Sequence, residues 1–427
     1  MLRNNQNITA WLIVLTASLF FFYEYLQMNM FNSIAPELLS SFHIGAASLG
    51  ILSSFYFIAN VIFLFLAGIL LDRYSTRWVI LLSLAVCIAG TALFSLATHF
   101  YWACFFRFLT GIGSAFCFLS IIRLASRWFP AHRMALVTGV VVTVAMLGGF
   151  TAQTPMTWLI HAMNWRNALQ IDAAFGVICF LLILFIVKDY PEHHKTTHHA
   201  ERKMLTDLGF FIALKKAFLQ FQNWLVGLCV CLINLPVGLL GGLWGILYLT
   251  HTHPVNTMEA STISSMLFIG TLVGAPIVGW ISDYTKRRRP PLFFGALFSL
   301  GLICVVIKIP TLSFYPLLCL FFFIGFFTSV QIIGYPLVAE NSLRLITAMS
   351  VSVVNISVQS GDALLQPFFG YLLDKHILAR TGSISTNFIA SDFQWAILLL
   401  PIGFLLAMLI VMRLPETRCR QRAEQPY

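Results

Sequence analysis

The feature that most constrains this chain is a series of long apolar runs that occupies most of its 427 residues. Each run is long enough to cross about 30 Å of hydrocarbon as a helix. A lipid-exposed backbone must satisfy its hydrogen bonds within the segment, and continuous apolar runs lack the alternation of barrel strands. The sequence therefore predicts an all-α membrane protein with twelve transmembrane spans, six in each half. The runs lie near residues 9–31, 47–71, 77–97, 100–127, 134–160, 166–187, 222–249, 259–282, 291–309, 312–338, 346–373 and 394–412.

Composition and charge distribution support a membrane location. Charged residues make up 10% of the chain, against about 25% in soluble domains, so most of the surface must face lipid. A net charge of +10 is also typical of nucleic-acid-binding proteins, but on the predicted topology most Lys and Arg residues lie on one side of the membrane. This asymmetry indicates a multi-pass protein with both termini in the cytoplasm, in the inner membrane if the source is bacterial. We expect a monomer with no nucleic-acid partner.

A ten-residue signature occurs twice, about half a chain apart. Gly68–Arg77 and Gly279–Arg288 each end an apolar run with an acid followed by basic residues. A second pair of landmarks, Asp189–Glu192 and Leu414–Thr417, follows the sixth and twelfth runs. The chain is therefore predicted to consist of two related halves, as many secondary transporters do.

The repeats and the polar stretch between them predict the domain boundaries. Residues 1–187 form an N-terminal six-helix bundle, and residues 222–413 form a C-terminal one. Residues 188–221 form a cytoplasmic linker, in which Leu205–Gln220 is suited to an amphipathic helix at the membrane surface. Residues 414–427 form a cytoplasmic tail.

The two halves and their charged turns resemble the major facilitator superfamily over nearly the whole chain. The turn motif of that family is matched in the first copy by Gly68, Asp72, Arg73 and Arg77, and in the second by Gly279, Asp283, Arg288 and Arg289. The sequence departs from the motif at Ser75, Trp78, Tyr284 and Lys286. The Gly-Pro motif that marks drug/proton antiporters is poorly matched on the fifth run, which argues against multidrug efflux.

The resemblance implies a fold, a mechanism and a set of gating residues. The implied fold has twelve helices in two pseudo-symmetric six-helix bundles, and the implied mechanism is alternating access around a site between them. Contacts made by the turns would lock the inner side when the protein opens outward. The gating residues implied in this way are Asp72, Arg73, Arg77, Asp283 and Arg288.

Three charged side chains inside the spans are candidates for function, since charge at membrane depth is costly. Glu24 lies midway along the first run and Asp362 within the eleventh, and burial favours the neutral form of a carboxylic acid. Both are predicted to couple transport to protons or to bind a substrate cation. Arg107, near the start of the fourth run, is predicted to pair with a carboxylate, either that of Glu24 or one on the substrate. The alternatives are helix-bridging acids and an interfacial arginine.

Neutral polar residues inside the spans predict the lining of a central cavity, although such residues also bridge helices. Gln359, Asp362 and Gln366 share one helix face. Asn234 is followed by Pro236 and several glycines, and broken spans point to binding sites in transporters. The predicted lining residues are Tyr23, Gln27, Gln153, Asn234, Gln331, Tyr335, Gln359 and Gln366.

Other ionisable residues are assigned structural roles or none. Asp172 lies on the sixth span, which is peripheral in the resembled fold, and Glu340 is expected to form a turn pair with Arg344. The histidines fall in predicted loops or at span ends, so no histidine relay and no metal site is expected. No catalytic motif occurs, and we expect neither enzyme activity nor a cofactor.

These observations predict a secondary active transporter. The favoured hypothesis is proton-coupled uptake of a small polar metabolite, such as an amino acid, a short peptide or an organic acid. One alternative is a proton-driven exporter of a drug-like compound or siderophore. Another is a sensor that keeps the fold without transporting.

Overall fold

A computed structural model describes residues 2–130, 133–190, 210–342, 347–383 and 387–419, and within these ranges the chain is almost entirely helical. We number the membrane-crossing helices as spans 1–12, and several of them consist of two or three consecutive segments. Their bounds are Leu2–Asn29 and Phe31–Phe42 (span 1), Ala46–Arg73 (span 2), Thr76–Leu96 (span 3), Phe100–Ser114 and Cys117–Trp128 (span 4), Met134–Thr151 and Thr154–Met163 (span 5), Trp165–Ile186 (span 6), Phe221–Leu235, the π-helical Pro236–Trp244 and Gly245–Thr252 (span 7), Thr257–Thr285 (span 8), Arg289–Lys308 (span 9), Phe314–Thr328, Ser329–Ile333 and Gly334–Asn341 (span 10), Thr347–Thr381 (span 11), and Ala390–Asp392, Phe393–Ala396 and Leu399–Arg413 (span 12).

The prediction of a twelve-helix membrane fold is confirmed. Eleven helices in the described ranges are long and apolar enough to cross a membrane. Span 11 is the twelfth: it is 35 residues long and packs along span 2, although it carries charged residues such as Asp362 and Asp374. Large apolar side chains such as Leu82 and Phe185 stay exposed on the outside of the bundle, where lipid replaces water.

Span 1 is longer than the sequence predicted. Its apolar run was expected to end at residue 31, but the helix restarts at Phe31 after a break at Met30 and continues to Phe42. The side-chain amide of Asn29 donates to the carbonyl oxygen of Tyr25 (2.8 Å), and such bonds compete with the helical ladder. The backbone N–H of Met30 still donates to the carbonyl oxygen of Leu26 (2.9 Å), so the chain continues as a helix after the break.

The linker prediction is tested only in part. A helix spans Phe210–Leu219, within the stretch Leu205–Gln220 that was expected to be helical. Residues 191–209 lie outside the described residues, as do residues 420–427 of the predicted tail.

The two halves meet closely at the side of the membrane opposite to the charged turns, which we call the outer side. Spans 2 and 11 lie so close there that a Cβ atom added at Gly50 would be 2.5 Å from the Cα of Pro367. One added at Gly370 would be 2.3 Å from the carbonyl oxygen of Ala46. Glycine at these two positions allows the backbones to touch, so the outer side is closed.

Candidate functional site

The carboxyl group of Glu24 is buried in the N-terminal half and only partly satisfied. Glu24 is 4% exposed, and its Oε1 accepts a hydrogen bond from the hydroxyl of Tyr56 on span 2 (2.7 Å). Its Oε2 is buried and has no partner among the described residues. The sequence prediction placed Glu24 at this depth but missed Tyr56, whose only signal was a tyrosine in the middle of an apolar run.

Arg107 is fully buried, which argues against an interfacial arginine. It is 1% exposed, and its Cζ lies 4.1 Å from the ring centre of Phe31 and 4.4 Å from that of Tyr56. Its Nη1 donates to the backbone carbonyl of Gln27 (2.9 Å). Nε and Nη2 are buried without a partner among the described residues. The expected contact with Glu24 is indirect, because both side chains meet at Tyr56.

Gln27 connects this arginine to a second acid. Its Nε2 donates to Oδ2 of Asp172 on span 6, and its Oε1 accepts from the hydroxyl of Thr91 (2.9 Å). Asp172 is 4% exposed, and its Oδ1 has no partner among the described residues. Spans 1, 2, 4 and 6 therefore contribute to one set of residues, which we call the N-half cluster: Glu24, Gln27, Tyr56, Arg107 and Asp172.

The cluster changes two sequence interpretations. Gln27 is fully buried and holds Asp172 rather than lining an open cavity. Tyr23 is also fully buried, and a Cβ added at Gly176 of span 6 would be 2.8 Å from its Cζ. The structure therefore places Tyr23 and Gln27 within the N-terminal half. Both lie on the face of span 1 that packs against span 6, which periodicity alone did not separate from the central face.

In the C-terminal half, Asp362 packs against span 7. It is 6% exposed, and a Cβ added at Gly238 would be 1.9 Å from its Oδ1. No described residue donates a hydrogen bond to it. Glycine at 238 thus makes room for this carboxyl group.

Gln366, one turn further along span 11, forms hydrogen bonds with span 7. Its Nε2 donates to the carbonyl oxygen of Gly238 (2.9 Å), and its backbone carbonyl oxygen accepts from the indole N–H of Trp244 (3.2 Å). A π-helical segment departs from the regular α-helical ladder, and the buried backbone groups freed by it need other partners. Gln366 supplies one of them, and its predicted place in the lining of a cavity stays a prediction.

Gln153 has a similar task on the other side of span 7. Its Nε2 donates to the carbonyl oxygen of Gly241 (2.8 Å), and its Oε1 accepts from Nδ2 of Asn32 (2.7 Å). Oδ1 of Asn32 accepts the backbone N–H of Ile246 (2.9 Å). Gln153 therefore joins the halves rather than lining a cavity. Asn32 was missed because it lies one residue beyond the predicted end of span 1.

The remaining predicted lining residues differ in their burial. Asn234, Gln331 and Tyr335 are half-buried, and Gln359 is 8% exposed. Tyr25, which the sequence prediction omitted, packs against a small apolar cluster formed by Met146, Val237 and Phe268, which come from both halves.

The second charged turn is a network within the C-terminal half. Arg288 is 5% exposed, and it donates to Asp283 (2.6 Å) and to Glu340 (2.6 Å). Burial lowers the pKa of Arg288, but its hydrogen bonds to Glu340 and Asp283 outweigh that effect and raise the pKa above the ordinary arginine value. Glu340 therefore bonds to Arg288, while its expected partner at position 344 lies outside the described residues.

The first charged turn is anchored to span 6. The backbone N–H of Arg77 donates to Asp189 (3.0 Å), and its guanidinium donates to the carbonyl oxygen of Leu184. Arg127 also pairs with Asp189 (3.2 Å). Arg73 is exposed, and the side chain of Asp72 lies outside the described residues. The expected contacts of Asp72 stay a prediction.

The same arrangement recurs in the other half. Glu416 accepts the backbone N–H groups of Arg288 (2.8 Å) and Arg289 (3.1 Å), and the Arg289 guanidinium donates to the carbonyl oxygens of Val411 and Met412. An acid after span 6 or 12 thus caps the start of span 3 or 9. Unpaired N–H groups at a helix start attract such a carboxylate.

Twelve spans in two closely packed halves, with buried ionisable groups at mid-depth in each half, define a membrane protein of the transporter class. The family model described as Major Facilitator Superfamily matches residues 17–366. The chain belongs to this family.

Relatives and solved structures match over most of the chain. Uncharacterized transporter YybO of Bacillus subtilis is 23% identical over 93% of both chains. Membrane sensor protein UhpC of Salmonella typhimurium is 26% identical over 93% of this chain and 91% of its own. A probable hexose phosphate transport protein of Chlamydia muridarum is 24% identical over 69% of each. An inward-facing, unoccupied bacterial homolog of Spinster has a TM-score of 0.76 at 16% identity, covering 98% of this chain and 99% of that one. That likeness shows the fold.

Proposed function

We propose that this protein takes up a small anionic metabolite together with protons, by alternating access of residues 1–187 and 222–413. The observation that carries the proposal is the guanidinium of Arg107, whose Nε and Nη2 are buried without a partner among the described residues. Two aromatic rings hold its plane, and a planar guanidinium suits paired hydrogen bonds to a carboxylate or phosphate. Amino acids, short peptides and organic acids all carry a carboxylate. The name of the Chlamydia relative also supports an anionic substrate.

Glu24 and Asp362 are the proposed proton-binding groups. Neither has an ion-pair partner among the described residues, and both are almost fully buried. An ionised carboxylate without a partner at membrane depth costs several kcal/mol. Each acid is therefore proposed to be neutral while the protein shields it from water. It is proposed to release its proton when water reaches it. Substrate bound near Arg107 and protons bound near Glu24 would then cross in the same cycle.

The closed outer side supports one state of this cycle, in which substrate cannot enter from outside. The halves are joined there through Asn32, Gln153 and Asp374, and these bonds must break before substrate enters from outside. We propose that the basic side, which holds both termini, faces the cytoplasm. The direction of uptake agrees with the poorly matched antiporter motif on span 5.

Transport by purified protein in liposomes tests the proposal. Labelled organic acids, amino acids and hexose phosphates are supplied under an inward proton gradient, with and without a protonophore. We expect accumulation of an anion that collapses with the protonophore. Glu24→Gln should lose accumulation but keep exchange of labelled for unlabelled substrate, because exchange needs no net proton movement.

Glu259→Gln is the matched control. Glu259 accepts the backbone N–H of Asn256 in a capping box (2.9 Å), and glutamine also serves at this position. Unchanged accumulation and pH dependence in Glu24→Gln would contradict the coupling, and uptake of cations alone would contradict the role of Arg107.

A sensor is the second candidate function, because UhpC matches over nearly the full length. In that case an anion would stabilise the purified protein through binding, yet no labelled compound would cross the liposome membrane. If the anion that stabilises the protein also crosses the liposome membrane, the protein is a transporter rather than a sensor.

A further inference from the structure

The basic ends of spans 9 and 12 border an open cavity that lies apart from the acids at mid-depth. Its volume is about 410 Å³. Three arginines lie at its rim, and aromatic and apolar side chains form its walls. Its lining includes Arg287, Arg289, Arg418, Phe293, Phe294 and Met412.

The rim carries more positive than negative charge. Its one carboxylate, Glu416, is held by the backbone N–H groups of Arg288 and Arg289. The guanidinium of Arg289 donates hydrogen bonds to backbone carbonyl oxygens of span 12. The exposed side chains of Arg287 and Arg418 form no hydrogen bond and no ion pair with any described residue. Two cations are therefore available to a ligand.

The walls continue into a membrane-facing groove. Phe294 on span 9 is exposed, and so are Met412, Leu409 and Leu405 on span 12. Phe294 and Met412 line the cavity, and Leu409 and Leu405 lie about one and two turns further along span 12. An exposed apolar surface therefore leads from the cavity toward mid-depth, beside the seam where spans 9 and 12 pack together. An acyl chain can pack against such an apolar surface, whereas a free phosphate ion would make no favourable contact with it.

The corresponding corner of the N-terminal half is held by similar bonds to the main chain. Ser75 precedes span 3 there, and its hydroxyl donates to Asp189. Arg77 bonds to span 6 just as Arg289 bonds to span 12. The two free arginines are therefore not needed to build the corner.

We propose that this cavity binds an anionic phospholipid, with its phosphate between Arg287 and Arg418 and an acyl chain along spans 9 and 12. Basic pockets between membrane helices at the cytoplasmic face bind anionic headgroups in this way. The site is independent of the transported substrate and of proton coupling.

Thermal unfolding of the full-length protein in detergent tests the site, with phosphatidylglycerol, phosphatidylcholine or inorganic phosphate added in separate titrations. We expect a saturable rise of the unfolding temperature with phosphatidylglycerol only. The double variant Arg287→Gln/Arg418→Gln should bind phosphatidylglycerol about 30-fold more weakly. This loss is about 2 kcal/mol at 1.4 kcal/mol per tenfold, or about 1 kcal/mol per arginine. Lys286→Gln, which removes an exposed charge from the same turn, should behave like the unaltered protein.

Each other outcome contradicts the proposal. An equal rise with inorganic phosphate would make it a phosphate site, and an equal rise with phosphatidylcholine would make it a nonspecific lipid contact. A rise with phosphatidylglycerol that survives the double substitution would place lipid binding elsewhere. Unfolding temperatures in phosphatidylcholine check that the variants are folded.

Discussion

Asp374 of span 11 caps span 2 across the boundary between the halves: its carboxylate accepts the backbone N–H of Ala46 (2.9 Å), and that of the next residue, Ala47 (2.8 Å). Gly45, at the N-cap, has no side chain with which to make this cap. The first N–H groups of a helix have no internal partner and carry partial positive charge. A carboxylate of one half thus closes the outer side by completing a helix of the other.

Asp374→Asn should favour opening of the outer side. Hydrogen bonds to a charged group contribute about 1.5–3 kcal/mol. We therefore expect the equilibrium between the closed and the open outer side to shift roughly tenfold or more toward the open state. Spin labels at the exposed residues Ser40 and Pro254 measure the distance between the outer ends of the halves. Lys375→Gln, beside Asp374 and exposed, is the control. An unchanged distance distribution in Asp374→Asn would remove Asp374 from the closing contact.

Arg107→Lys should weaken anion binding while the protein remains folded. A lysine keeps the charge but cannot present paired donors in the plane held by Phe31 and Tyr56. We expect roughly 10–100-fold weaker half-saturation in exchange assays. Arg166→Lys is the control, because Arg166 also stacks on an aromatic ring, that of Trp165 (4.2 Å). Equal losses in both variants would indicate a general packing effect instead.

Gly238→Ala should act through Asp362. The added methyl group would lie 1.9 Å from Oδ1 of Asp362, so the carboxyl group must move. We expect the pH dependence of uptake to change in the same sense as in Asp362→Asn. Gly301→Ala, where a Cβ would meet nothing within 4 Å, should leave it unchanged. A normal pH profile in Gly238→Ala would show that the position of this carboxyl group is not critical.

Gln153→Ala should destabilise the outer half of span 7. It leaves the carbonyl oxygen of Gly241 and Nδ2 of Asn32 without their partner, and each buried group left unpaired costs about 1–3 kcal/mol. We expect a lower unfolding temperature than for the exposed Gln394→Ala. If the two variants unfold together, the π-helical segment does not depend on this amide.

The depth of the ionisable residues could be predicted, but their partners could not. A charged residue inside an apolar run has to be buried, and Glu24, Arg107 and Asp362 are all buried. Gln153 and Gln366 were expected to line a cavity, since neutral amides occur both in cavities and between helices. Their actual task depends on the π-helical segment Pro236–Trp244, which Pro236 and its glycines suggested only as a general break.

The sequence by itself determined the twelve spans, their charged ends and the depth of the two acids, because a helix in lipid satisfies its backbone locally and its length follows from apolar runs. Only the tertiary structure decided which side chains meet. Tyr56 reaches Glu24 and Asp374 reaches Ala46 over long separations in the chain. Such pairings depend on the rotation and spacing of packed helices, and no local pattern records them.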